Sequence, residues 1–286
     1  MEKILIVSDS ASDIPKEEVK KHGIVILPIT ISYGGKTYSE YDIVPQDYWR
    51  ILENTDEIPT TSQVTLDAYI ETFRKAQDNG YSHVLCILIN AKGSGTYSTG
   101  CAAREIFYSE CGNDMRIELL DSRTYSYIYG RIAVNCAKMR DRGDLFEDIL
   151  NDARGKIESS RAFLAVFSLK HLRKSGRISG GAAFIGEALG LRPISDVYNG
   201  SVTVFDKVRS DHALIPRISA HVKKLIKSPE EQTIILLYSD VPEDELKKAE
   251  QLLIGDVGAM AVRRVPIGPS VTTNSGPKSI GVAFYG

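Results

Sequence analysis

Along the first half of the chain, short apolar runs alternate with stretches in which apolar residues recur every three or four positions. KILIVSD (3–9), HVLCILIN (83–90) and RIELLDS (116–122) predict buried strands. IPKEEVKKHG (14–23) and TLDAYIETFRKAQDNG (65–80) carry helical periodicity and close on a glycine. A helix is predicted to run to about Tyr108, and another to begin near Tyr125. IVILPITISYGGKTYSE (24–40) predicts extended chain with a turn at Gly34 and Gly35. Strands alternating with helices predict a parallel sheet covered on both faces.

Beyond residue 158 the pattern changes. A helix over about 144–158 leads into RAFLAVFSL, a predicted strand, then the basic, turn-rich KHLRKSGRISG and a short apolar helix, AAFIGEALG. RPISDVYNGSVTVFDKVRS reads as two strands around an Asn199-Gly200 turn. A helix (DHALIPRISAHVKKLIK), a strand (QTIILLYSD), a helix (DELKKAEQLLIG) and a strand (AMAVRRVPIG) follow. A hairpin among mixed elements predicts an α+β second domain. The expected domains are residues 1–158 and 159–286.

Composition narrows the class. The 286 residues suffice for two domains, and 43% hydrophobic with 25% charged residues is the balance of a globular protein. A net charge of −2 gives no general pull toward nucleic acid or anionic membrane. No apolar run reaches the ~18 residues of a membrane span. The start, MEKILIVSDS, lacks the pattern of a signal peptide and reads as the first strand of a cytoplasmic protein. Cys86, Cys101, Cys111 and Cys136 form no metal-ligand pattern and read as reduced structural thiols.

The chemistry concentrates in three hydroxyl-rich segments. AKGSGTYSTG (91–100) follows a predicted strand and opens a helix. It is not a P-loop, because Thr96 and Tyr97 follow Gly95 where Lys would be needed. It is a poor dinucleotide fingerprint, because Gly100 falls two places late after Gly93 and Gly95. What remains is a strand end, close-approach glycines and a helix start, which together favour an anion. Ser94 and Thr96 add hydroxyls, and the plainer reading is that one of them only caps the helix. PTTSQVTLDAY (59–69) places Thr60, Thr61, Ser62 and Gln63 before another helix, again as site or as cap. VTTNSGPKSIG (271–281) reads as a third hydroxyl-and-amide loop. Three such segments point to neutral donors converging on one small anion. None of the five His lies in them, and no nucleophile elbow or reactive Cys accompanies them. Donors without a base favour binding over catalysis. Asp9, Asp13 and Asp121, near predicted strand ends, read either as Mg²⁺ ligands or as turn carboxylates.

With these residues in view the chain resembles the DegV family of bacterial fatty-acid-binding proteins. SDSASDIP (8–15), TSQ (61–63), SGTY (94–97), LLDSRTYSYIYG (119–130), LRKSGRIS (172–179) and IGPSVTTNSGPKSIGVAF (267–284) match the family's motifs in order over the whole length. The resemblance implies an α/β protein of two domains: a three-layer domain with a parallel sheet, then a two-layer domain with a mixed sheet. It implies one long-chain, palmitate-like fatty acid in a buried tunnel near their junction, and no cofactor. The carboxylate would be held by Ser62 or Thr61 and by Ser94, with Gly95, Thr96 and Asn274 nearby. It also implies a carrier rather than an enzyme. A separate ATP-dependent kinase would phosphorylate the bound acid to an acyl phosphate, with Arg177 and Arg209 as docking residues for that kinase or for transient contact with a membrane surface. The family's His in the closing motif is Asn274 here, and Lys92 in the altered lead-in is a further candidate charge near the head group. The alternative reading is a Rossmann-like enzyme acting on a phosphorylated or nucleotide ligand.

Overall fold

The computed structural model describes residues 2–167, 169–177 and 190–286. The predicted helix AAFIGEALG, apart from Gly190, and the end of LRKSGRIS lie outside the described residues. The fold is α/β, built on a four-stranded parallel sheet and a six-stranded mixed sheet.

The apolar runs of the first half form the parallel sheet. β1 (Ile4–Asp9), β2 (Val25–Leu27), β6 (His83–Leu88) and β7 (Arg116–Asp121) lie in the order β2-β1-β6-β7. β1 is buried along its whole length: its apolar run ILIV fits a covered parallel strand, and Ser8 and Asp9 at its end are hydrogen-bonded. Helices Leu66–Asp78 and Thr96–Cys111 pack on each other, as do Tyr127–Arg142 and Phe146–Ser159. The chain leaves β1 for β2 on one side and returns to place β6 on the other. This reversal makes a crevice at the carboxyl ends of β1 and β6, where ligand sites form in open α/β sheets.

The stretch expected as one extended segment divides between two sheets. Its first strand, β2, joins β1. The remainder forms a hairpin, β3 (Thr30–Tyr33) and β4 (Lys36–Ser39), turning at Gly34 and Gly35. β5 (Thr60–Ser62) adds antiparallel to β3, with Ile31 opposite Thr61. The hydroxyl segment TTS is therefore a strand rather than a helix cap. Thr65, three residues on, caps helix Leu66–Asp78 by accepting from the Ala68 N–H.

The second sheet begins at β8 (Ser160–Val166). It continues with β9 (Arg192–Tyr198), β10 (Ser201–Val208), β11 (Thr233–Ser239), β12 (Ala261–Pro266) and β13 (Ser279–Tyr285), in the order β10-β9-β8-β13-β11-β12. β9 and β10 turn at Asn199 and Gly200, both at positive φ, as an Asn-Gly hairpin requires. The closing segment, expected as a loop, is instead a short helix, Pro269–Ser275, followed by β13. β13 pairs with β8 and β11 at the centre of the sheet.

The faces of this sheet differ. Phe163, Ala165, Ile234, Leu236, Val282 and Phe284 face one core cluster, with helix Leu214–Leu225. Ala162, Val197, Ile235, Leu237 and Ala283 face the other way and join the core of the parallel sheet. One apolar cluster thus runs continuously from the first half of the chain onto the second sheet. No helix among the described residues is long and apolar enough to cross a membrane.

Candidate ligand-binding site

Between the two sheets lies a cavity of about 180 Å³. One water needs about 10–15 Å³ of such space, so the cavity is far larger than a site for a single buried water. Ile89, Ile128, Leu164, Val197, Leu237 and Ile267 line the apolar part. Ala162 of β8 also lines it, and its small side chain leaves volume where Phe163, its neighbour, points into the opposite core. The polar end is built from Thr61, Ser62, Gln63, Ser94, Arg177 and Asn274. Four parts of the chain, distant in sequence, meet there.

The loop after β6 is shaped by Asn90, which is fully buried. Its carbonyl accepts from the Gly93 and Ser94 N–H groups at 3.0 and 3.1 Å. Its Nδ2 donates to Tyr125 Oη at 2.8 Å and to the Gly200 carbonyl at 3.0 Å. Gly93 and Gly95 owe their identity to crowding. A Cβ at Gly93 would lie 2.3 Å from Tyr125 Oη, and one at Gly95 would lie 1.9 Å from Gln63 Oε1. Gln63 crosses Gly95 and donates to Thr99 Oγ1 at 2.6 Å, so the TSQ and SGT segments are physically joined.

Ser94 lines the cavity at the start of the 16-residue helix Thr96–Cys111, whose first N–H groups lack intrahelical acceptors. Thr96 does not line it. Its buried hydroxyl lies 2.9 Å from Ser94 Oγ and 3.5 Å from the Val64 N–H. Thr96 therefore orients Ser94 from behind. Thr61 and Ser62 reach the same polar end from β5, and Gly95 contributes backbone.

Asn274 sits on helix Pro269–Ser275, and its amide is committed. Nδ2 donates to the Ser270 carbonyl at 2.8 Å, while Oδ1 accepts from Arg177 Nη1 at 2.8 Å. Arg177 also donates to the Gly93 and Ser175 carbonyls. Arg177, expected as a docking residue, ties the Gly93 loop to Asn274 at the edge of the cavity. Its exposed guanidinium brings a full positive charge to the polar end. Nη2 is left without a hydrogen bond among the described residues.

Two other expected cations lie elsewhere. Lys92 Nζ donates to the Asn199 carbonyl and to Ser201 Oγ, so it braces the β9–β10 hairpin rather than the head-group end. Arg209 is exposed just past β10. It lies at the strand end away from Ser201, roughly 25 Å along at ~3.3 Å per residue. The structure does not bring Arg177 and Arg209 together.

The strand-end carboxylates are structural. Asp9, fully buried, accepts from the Ile89 and Ala11 N–H groups and from Tyr129 Oη. Burial pushes its pKa up to about 7. Asp13 accepts from Ser126 and lies against Gly268, where a Cβ would approach Oδ1 to 2.1 Å. Glu40, missed in the sequence, accepts from Ser10 and from the Ser270 N–H. Burial raises the pKa values of Asp13 and Glu40 as well. Asp121 accepts from the Ala91 and Arg123 N–H groups. No group of three or more His, Cys, Asp or Glu among the described residues is arranged to hold a metal ion.

Gln63, Tyr125 and Ser126 also line the cavity and were not singled out as ligand contacts from sequence. Ser126 has φ +58°, uncommon for a non-glycine residue, and its hydroxyl donates to Asp13. The signal for Gln63 was its place in TSQ. The signal for Ser126 was its place in LLDSRTYSYIYG.

The chain is similar to known proteins over its whole length. A family model described as an uncharacterised protein of the DegV family matches residues 3–286. A DegV domain-containing protein of Caldanaerobacter subterraneus subsp. tengcongensis is 31% identical over 285 residues, covering 99% of each chain. A stearic acid-binding protein from Eubacterium ventriosum superposes with a TM-score of 0.88 at 25% identity, covering 99% of this chain and 97% of that one. A fatty acid binding DegV family protein from Streptococcus agalactiae gives 0.87 at 26% identity, covering 100% of both.

Proposed function

The chain belongs to the DegV family, and on that footing we propose that it binds one long-chain fatty acid in the cavity between its sheets. The observation that carries this reading is the division of the cavity: aliphatic walls along its length, hydroxyls and one guanidinium at one end. The relatives described as binding fatty acids support it. Burial of each CH₂ contributes about 0.8 kcal/mol, so a sixteen-carbon tail gains roughly 10 kcal/mol before the costs of association. The tail supplies affinity. The polar end fixes the carboxylate through Ser94, Ser62 or Thr61, and Arg177, with Asn274 and Thr96 as positioning residues.

The protein then acts as a carrier in the cytoplasm that presents the carboxylate to a separate kinase. A carboxylate is already deprotonated and needs no general base. One of its oxygens attacks the terminal phosphorus of ATP, a new O–P bond forms, and the bond to the bridging oxygen breaks to release ADP. Among the described residues that line this cavity there are hydroxyls and one cation and no His, Asp, Glu or Lys, which suits that division of labour. The exposure of Arg177 at the cavity edge supports a part for it in meeting the partner. Native mass spectrometry of protein purified from a bacterial host tests the reading. A retained acyl-chain mass, lost on delipidation and restored by palmitate, is expected. Apo protein that fails to take up palmitate in solution would overturn it.

A further inference from the structure

Tyr125 lines the cavity beside Gly93, and Asn90 fixes what its hydroxyl can do. The orientation of the Asn90 amide is set by its neighbours. Oδ1 lies 3.2 Å from the Lys92 N–H, which can only donate, and Nδ2 lies 3.0 Å from the Gly200 carbonyl, which can only accept. Turning the amide over would set oxygen against oxygen and N–H against N–H. Nδ2 is therefore the group that meets Tyr125 Oη at 2.8 Å, and it donates. Tyr125 Oη is the acceptor in that bond, and its own proton remains to be placed. Among the described residues it has no hydrogen-bond acceptor. A partly buried phenol ordinarily finds a partner for its O–H. Burial pushes the Tyr125 pKa above its ordinary value of 10.0, against the opposing effects of the Asn90 bond and the Arg177 charge, so the proton stays on at neutral pH.

The hydroxyl stands at the polar end. A Cβ on Gly93 would lie 2.3 Å from Tyr125 Oη, and the Gly93 carbonyl accepts from Arg177 Nε at 3.2 Å. Ser94 is the next residue in the chain. The guanidinium has no lone pair to offer the phenol, but the two can share an anion.

We propose that Tyr125 is a further head-group residue, whose O–H donates to a carboxylate oxygen of the bound fatty acid while Asn90 aims it by occupying its lone pair. The proposal rests on the fatty-acid reading and adds a donor to it. A carboxylate has about four lone-pair sites on its two oxygens. Ser94, Ser62 or Thr61, and Arg177 meet some of them, and Tyr125 meets another from the opposite end of the Gly93 loop. The Asn90 amide that aims Tyr125 also donates to the Gly200 carbonyl, so the β9–β10 hairpin is linked to the head group through a single side chain. Tyr125 touches the ligand, and Asn90 is a positioning residue.

Tyr125→Phe removes the hydroxyl and keeps the ring. Delipidated full-length protein is titrated calorimetrically with palmitate, and carboxyl-labelled palmitate is followed by carbon NMR across pH in parent and variant, with melting temperature as a folding control. A loss of palmitate affinity of about fivefold or more is expected in the variant. The carboxyl resonance should shift, and the apparent pKa of the bound acid should rise, because a donor to the carboxylate favours its ionised form. Asn90 Nδ2 also loses its acceptor in this variant, so affinity alone would not separate a ligand contact from a structural role. The carboxyl resonance does. Affinity within twofold of the parent overturns the proposal, as does a loss of affinity with unchanged carboxyl resonance and pKa. Either result leaves the fatty-acid reading standing, since the parent still binds palmitate. If the parent takes up no palmitate, both fall.

Discussion

At the scale of single residues, the polar end separates groups that line the cavity from groups that hold them. Ser94 is expected to donate to the carboxylate, and a single hydrogen bond is worth about 1 kcal/mol. Ser94→Ala should therefore weaken palmitate binding about fivefold, and adding Ser62→Ala should weaken it further. Titration of both variants measures this, and unchanged affinity would show that the head group lies elsewhere. Arg177→Gln removes a charge-assisted contact, typically about 1.5–3 kcal/mol, and should cost roughly ten- to a hundredfold. Asn274→Ala should act through Arg177 by releasing its Nη1, so its effect should nearly vanish in an Arg177→Gln background. Gly95→Ala should cost modest stability, because a Cβ there displaces the exposed Gln63 side chain from Thr99. Replacing Gln63 by Ala in the same chain should recover part of the lost stability on thermal melting. Sequence alone picked out Ser62, Ser94 and Thr96 equally as hydroxyls. Only the packing of Thr96 behind Ser94 gives them different roles.

At the scale of elements, strong periodicity was readable and short segments were not. The parallel strands and their helices announce themselves because each buries a continuous run or one face. Four elements were not read, although helix Pro45–Asn54 buries Tyr48, Trp49 and Leu52 on one face and β13 is a buried run. Helix Pro45–Asn54, β5, helix Pro269–Ser275 and β13 are short, or draw their form from neighbours distant in sequence. TTS is a strand because β3 offers its edge. SIGVAFY is central because β8 and β11 flank it, and Gly281 lies close to the Phe163 carbonyl, where a Cβ would approach to 2.8 Å. The Asn199-Gly200 turn was legible, but its second task was not. Its Gly200 carbonyl accepts from Asn90, which shapes the Ser94 loop. Gly200→Ala places a Cβ at φ +76° and 3.0 Å from Asn90 Oδ1. Lower melting temperature together with weaker palmitate binding is the expected outcome, since hairpin and loop are coupled through Asn90.

At the scale of the whole molecule, buried carboxylates fasten the first half of the chain to helix Pro269–Ser275. Asp13 meets Gly268, Glu40 takes the Ser270 N–H, and Asp9 joins the ends of β1 and β6. Burial makes Asp9 hold its proton more tightly when folded than its ordinary value of 3.8 allows, up to about 7. Its contribution to stability is therefore fully present below pH 3.8 and is lost as the pH rises through about 7. Denaturant titrations at pH 5 and pH 7.5 should show Asp9→Asn losing less stability than the parent over that interval. Parallel losses would contradict this. The sequence by itself determined the parallel sheet, the hairpin and the family, because periodicity and motif order are properties of the chain alone. It also determined which residue types could hold an anion. The tertiary structure decided that Arg177 turns to the polar end of the cavity and that Lys92 and Arg209 do not. Those outcomes depend on segments more than a hundred residues apart meeting between two sheets, and no local pattern of polarity encodes where they meet.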